Sequence, residues 1–193
     1  MKNILLFFCF FAAMSLSAQD NKYTGHLGGT LGFSTAQSNA KNSVVKKVWS
    51  FSPEIGIYPF AHWGAGINFL IEGVSQGNYI TTSYGCGIYV RRYFPVTDNF
   101  SMILGLNGSY KTTKAVQKFP QGNIEETENG IGAFFDLGMS YQLSPRWSLI
   151  GRIGTLGYNK TTNPDNPDYG EKVFGINLNA LGNPFLAGAL YKF

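Results

Sequence analysis

The sequence predicts an all-β chain: a transmembrane antiparallel up-and-down β-barrel of eight strands behind a cleaved N-terminal signal peptide. Three observations carry that expectation. Ile4 to Met14 is an unbroken apolar run, preceded by Lys2 and followed by small residues. Beyond it, segments of about ten residues set apolar side chains at every second position, the spacing of strands with one face toward an apolar medium. Charged residues are only 13% of the 193, whereas 24 are Gly and 16% are aromatic. A chain so aromatic and so poor in charge does not stay solvated as a disordered coil.

The leader is read from its layout. Lys2 supplies the positive end, Ile4 to Met14 the apolar stretch, and Ser15, Ser17 and Ala18 the small residues before polar Gln19 and Asp20. That is a secretory signal peptide cut after Ala18, leaving residues 19–193 as the barrel domain. The run is too short to span a bilayer, which needs about 20 apolar residues. Cys9 leaves with the leader, so Cys86 is the single cysteine of the mature chain and no internal disulfide is expected. The net charge of +4 is small and unclustered, which excludes a nucleic-acid partner.

Eight segments follow. Thr24 to Phe33 sets Leu27, Leu31 and Phe33 against His26, Gly28, Thr30 and Gly32. Val48 to Tyr58 sets Trp49, Phe51, Ile55 and Ile57 against Ser50, Ser52, Glu54 and Gly56. Trp63 to Val74 alternates Ile67, Phe69 and Ile71 with Gly66, Asn68 and Glu72, and Tyr79 to Phe94 alternates Tyr84, Cys86, Ile88 and Val90 with Ser83, Gly85, Gly87 and Arg91. Phe100 to Thr112 opposes Leu104, Leu106 and Tyr110 to Gly105, Asn107 and Lys111. Gly130 to Leu143 is the cleanest, with Ile131, Phe135, Leu137 and Tyr141 against Gly132, Asp136, Gly138 and Ser140. Trp147 to Asn159 sets Trp147, Leu149 and Ile153 against Ser148, Arg152 and Gly154. The last segment runs to Phe193 and changes parity at Gly182-Asn183-Pro184, where a bulge is expected.

The second face decides the environment. Its Gly, Ser, Thr and Asn with single charges are too poor in Lys and Glu for a water-facing exterior, as a soluble lipocalin-like barrel would require. They suit the narrow interior of an eight-stranded barrel, so the apolar face meets lipid. The connections agree. Pro59–His62, Pro95–Asn99 and Ser144–Arg146 are short, whereas Ser34–Lys47, Thr113–Asn129 and Lys160–Lys172 are long and polar. Outer-membrane barrels have short periplasmic turns and longer external loops. Aromatics, among them Tyr58, Trp63, Tyr93, Phe94, Trp147 and Tyr191, gather near the short turns as an interfacial girdle would.

The closing residues NPFLAGALYKF resemble the C-terminal signature of outer-membrane barrels, with Phe193 terminal, Tyr191 two residues before it, and Ala189, Ala187 and Phe185 alternating upstream. With the turns YPFAHWGAG and RRYFPVTDNFS, the mature chain resembles the small porin-like, OmpX/OmpA-type outer-membrane barrels common in Bacteroidota. The resemblance implies recognition of Tyr191 and Phe193 by the barrel-assembly machinery, a Gram-negative outer-membrane location, and contact with outer-membrane lipid and lipopolysaccharide. It does not extend to a cell-wall-binding domain beyond Phe193.

Candidate chemistry lies inside the barrel. Parity places Glu54, Glu72, Arg91, Lys111, Asp136 and Arg152 there, with Arg152 diagonal to Asp136. Buried charges must pair, so these six read as an ion network filling the lumen; a narrow channel for ions or small solutes is the alternative. His26 and His62 both fall near the short turns and no Ser-His-Asp set or phosphate loop is present, so neither an enzyme nor a cofactor is expected. Asp165, Asp168 and Glu171 offer oxygen donors, but the spacing lacks a calcium-loop register and a solvated turn is the default. The charge-segregated Thr113–Asn129 loop leaves room for an extracellular ligand. The expected role is structural and interactive, through external loops.

Overall fold

The computed structural model describes residues 24–36, 44–164, 170–178 and 186–193. The expected leader, Asp165, Asp168 and the expected bulge at Gly182-Asn183-Pro184 lie outside them. The strands are β1 (Gly25–Ala36), β2 (Lys46–Phe60), β3 (Trp63–Gln76), β4 (Tyr79–Pro95), β5 (Phe100–Phe119), β6 (Gly122–Gln142), β7 (Trp147–Thr162), β8 (Lys172–Leu178) and β9 (Leu186–Lys192). Each of β1 to β7 pairs antiparallel with the next, and β9 returns to β1. β8 lies along Gly154–Lys160 of β7 and β9 along Trp147–Arg152 of the same strand. The two short strands therefore share one position, and the ring has eight.

The packing is inverted relative to a water-soluble protein. Among the described residues, twelve buried side chains are polar or charged and only four are apolar: Tyr89, Ile103, Ile150 and Leu190. Leu31, Phe51, Ile67, Ile88, Leu106 and Phe135 point outward and are exposed. Every strand but β8, which pairs with β7 alone among the described residues, satisfies its backbone through two neighbours, the sheet arrangement that tolerates an apolar solvent.

One end carries tight connections: Ala61-His62 between β2 and β3, with His62 at φ 64°, then 96–99 and 143–146. At the other end the structure corrects an expectation. The stretch from Thr113 to Asn129 is a hairpin continuing β5 and β6, paired from Thr113↔Glu128 up to Phe119↔Gly122 around Pro120-Gln121. The pairing needs no apolar alternation there, because both faces are polar and β-branched Thr112, Thr113, Val116 and Thr127 favour extended backbone. Lys114 and Glu125 meet across the hairpin at 2.6 Å, so the segregated charges fold onto one another. β5 and β6 have 20 and 21 residues, against 12 in β1. At ~3.4 Å per residue the difference is roughly 27–31 Å along the strands. The expected loop from Lys160 is likewise shortened: β7 runs to Thr162, and Glu171 exchanges backbone hydrogen bonds with Thr161 at 2.8 and 3.1 Å.

A second correction concerns β7. Leu137 pairs with Gly154 and Gly138 with Arg152, leaving Ile153 as an extra residue. This bulge reverses the parity. Arg152 faces the lumen as expected, whereas Gly154 joins Leu137 on the outer face.

Candidate functional site

The lumen is built in layers. Nearest the tight turns, Ile103, Ile150 and Leu190 pack together with Tyr93 against them. Tyr58 lies beside Tyr93 with ring centres 6.2 Å apart, and His26 beside Tyr58 at 4.8 Å. This corrects two expectations: the interior is not small and polar throughout, and Tyr58 and Tyr93 are not part of the outer girdle. The reason is parity. Tyr89, Arg91 and Tyr93 alternate along β4, and Tyr93 pairs with Ile103 on β5. Room for the rings comes from Gly56, where a Cβ would stand 2.6 Å from the His26 ring and 2.7 Å from the Tyr89 hydroxyl.

The next layer is ionic. Glu54 accepts two hydrogen bonds from the Arg91 guanidinium, at 2.5 and 2.8 Å, and a third from Arg152 at 3.4 Å. Arg91 also lies over the Tyr89 ring, 3.9 Å from its centre. The Tyr89 hydroxyl is 2.7 Å from Nε2 of His26 and donates a long 3.5 Å hydrogen bond to Glu54. Two cations thus converge on one carboxylate that is almost wholly buried. The bidentate fork gives the pairing its geometry as well as its strength.

Of the other predicted interior residues, Asp136 borders this centre and faces Arg152 and Arg91, whereas Glu72 and Lys111 sit apart from it. Asp136 is buried in the wall of β6. Its neighbour Gly138 pairs with Arg152, so Asp136 is diagonal to that arginine. Lys111 and Glu72 form a separate pair at 3.4 Å, each about one third exposed, toward the long-hairpin end. Between the two groups lies a band of buried Thr30, Ser50, Ser52, Asn68 and Ser83. Sequence reasoning missed Tyr89 as the ring bridging His26, Glu54 and Arg91. The available signal was Ile88-Tyr89-Val90, where an aromatic occupies the polar parity between two lipid-facing residues.

At the C-terminus, Tyr191 is on the outer face. Its ring lies 5.1 Å from Trp147, and its hydroxyl accepts a hydrogen bond from Arg146 at 3.1 Å. The Phe193 carbonyl accepts from the backbone N–H groups of Thr24 and Gly25, each at 3.0 Å, tying the two ends of the described chain together. Among the described residues no three His, Cys, Asp or Glu side chains gather as a metal site.

A closed antiparallel ring with an apolar exterior and an ionic interior is the architecture of one membrane-protein class. The family model of the outer membrane protein β-barrel domain matches residues 4–180. The chain belongs to that family. No curated protein matches the chain. Solved structures similar to this outer-membrane barrel include Neisserial surface protein A, at 15% identity and a TM-score of 0.48, covering 89% of this chain and 96% of that one. The attachment invasion locus protein Ail of Yersinia pestis is 10% identical, with a TM-score of 0.45 and coverage of 89% and 99%. The β domain of the Bordetella autotransporter BrkA is 12% identical, with a TM-score of 0.47 and coverage of 89% and 100%.

Membership in the family makes the outer face a lipid face, and this has a measurable consequence. Ile88 projects outward from the middle of β4 and is 67% exposed. Ile88→Arg is expected to destabilise the vesicle-inserted barrel by about 2–4 kcal/mol, and Phe94→Arg, beside the tight turn, by about 0–1. Urea titration of both variants in lipid vesicles reads the difference; equal losses would remove the depth assignment.

Proposed function

We propose that this outer-membrane barrel is a non-conducting, non-catalytic surface protein, with the tight turns in the periplasm and the β5–β6 hairpin outside the cell. The reading is supported by two layers of side chains inside the ring. The apolar layer of Ile103, Ile150, Leu190 and Tyr93 backs directly onto the Glu54–Arg91–Arg152 centre. A solute on the axis would have to displace packed side chains and break a buried ion pair. Glu54, Glu72, Arg91, Lys111, Asp136 and Arg152 then act structurally, holding opposite walls in register. The hairpin offers a polar surface to an extracellular ligand, while the outer wall meets lipid and lipopolysaccharide. Tyr191 and Phe193 supply the signature read by the barrel-assembly machinery, a role supported by the place of Tyr191 on β9 and by the backbone bonds of Phe193 to Thr24 and Gly25.

The test is single-channel recording of the folded, detergent-purified barrel in a planar bilayer, with heat-modifiable gel migration as the folding control. No discrete openings are expected. Reproducible openings that change in Asp136→Asn or Arg152→Gln would replace this reading with a narrow channel. That second reading draws its support from Thr30, Ser50 and Ser52, whose buried hydroxyls have no protein partner among the described residues and suit lumenal water.

A further inference from the structure

Adjacent arginines on β4 have opposite fates. Arg91 turns inward to Glu54, whereas Arg92 shares the parity of Val90 and Phe94 and lies on the outer wall. Arg92 is paired across the sheet with Trp63 on β3 and Leu104 on β5. Its guanidinium carbon is 5.2 Å from the centre of the Trp63 ring and 5.9 Å from that of Phe94. No carboxylate lies within 4.0 Å of it and no hydrogen bond engages it among the described residues. The two aromatic rings fix the cation in place while its N–H edge remains unused.

The location limits what that edge can meet. Arg92 stands three residues before the strand end at Pro95, about 10 Å along the chain, and is flanked by apolar Val90 and Leu104. A fixed guanidinium on an apolar wall at that depth faces headgroups, whose common anionic group is the phosphodiester. We propose that Arg92, Trp63 and Phe94 form a binding site for the phosphate of a glycerophospholipid in the periplasmic leaflet. Two guanidinium N–H groups donate to the non-bridging oxygens, in the planar fork that suits phosphate, and the acyl chains run along Val90 and Leu104. The inference rests on the membrane orientation proposed above.

The experiment uses Trp63 as reporter. Trp49→Phe and Trp147→Phe leave it the sole tryptophan, and the barrel is folded in dodecyl maltoside, which carries no phosphate. Phosphatidylglycerol brominated in its acyl chains is then titrated in. Saturable quenching of Trp63 is expected. Arg92→Gln should raise the half-quenching concentration about tenfold, the worth of one charge-assisted hydrogen bond. Arg92→Lys, which keeps the charge and loses the fork, should fall between. Brominated diacylglycerol, with the same chains and no phosphate, should quench weakly and equally in all three proteins, and millimolar inorganic phosphate should not compete. Equal half-quenching in Arg92→Gln, or diacylglycerol matching phosphatidylglycerol, would overturn the site. Absence of heat-modifiable migration in the parent protein would instead overturn the membrane-barrel reading, and the site with it.

Discussion

Glu54→Gln is expected to lower the stability of the folded barrel by about 3–5 kcal/mol, the range for removing one member of a buried ion pair. The loss is large because the substitution takes the bidentate partner from Arg91 and leaves Asp136 alone to face two buried guanidinium groups, Arg91 and Arg152. Glu72→Gln provides the contrast. Its partner Lys111 is one third exposed, water screens the change, and the cost should be about 0–1 kcal/mol. Replacing Glu54, Arg91, Asp136 and Arg152 together with apolar side chains should recover most of the loss, since no uncompensated charge is then left buried. Urea unfolding in vesicles, followed by gel mobility and tryptophan fluorescence, measures all three. A loss below 1 kcal/mol in Glu54→Gln would mean that the ionic centre does not hold the walls together.

Gly188→Val is expected to prevent ring closure. Thr30 on β1 pairs with Gly188 on β9, and Gly28 pairs with Leu190. A Cβ at Gly188 would collide with the backbone carbonyl of Gly29 and stand 2.8 Å from the Cα of Thr30. Backbone cannot swing aside as a side-chain tip can, so the cost exceeds the ~1–3 kcal/mol usual for overpacking. Gly28→Val meets the same obstacle from the other strand, where the Cα of Leu190 is 2.9 Å away. Gly175→Val on β8 is the control, because nothing lies within 4 Å of the added carbon. The heat-modifiable band should vanish or weaken severely in the first two variants and persist in the third. A folded Gly188→Val barrel of parental stability would show that the seam has room to spare.

How much of this was legible in the residues depended on which force wrote the pattern. Burial against lipid imposes a period of two, so the outward positions of β2, β4, β5 and β6 were readable from Trp49 to Tyr141. The interior obeys no such rule near the tight turns. Ile103 and Ile150 each follow an outward-facing residue, so Met102-Ile103-Leu104 and Leu149-Ile150 read as plain apolar runs rather than as two opposed faces. The hairpin from Thr113 to Asn129 reads as a loop because both of its faces are polar and leave no alternation to find. The interior charges could be assigned to one compartment by parity alone. Their heights could not, since the single extra residue at Ile153 and the exact turn lengths fix which cation reaches Glu54.

The pairing of β1 with β9 also sets an order of events. His26 meets Lys192 and Leu27 meets Tyr191, contacts that join nearly the first and last residues of the described chain. Such a closure has the greatest possible sequence separation, and non-local pairings of this kind form slowly. Until the seven-residue β9 docks, a β1 paired with β2 has an empty edge on its other side. An unpaired strand edge is an invitation to the wrong partner. The interval between making Gly25 and making Lys192 is therefore when this chain is most exposed to aggregation, and a nascent chain lacking β9 would keep that edge open.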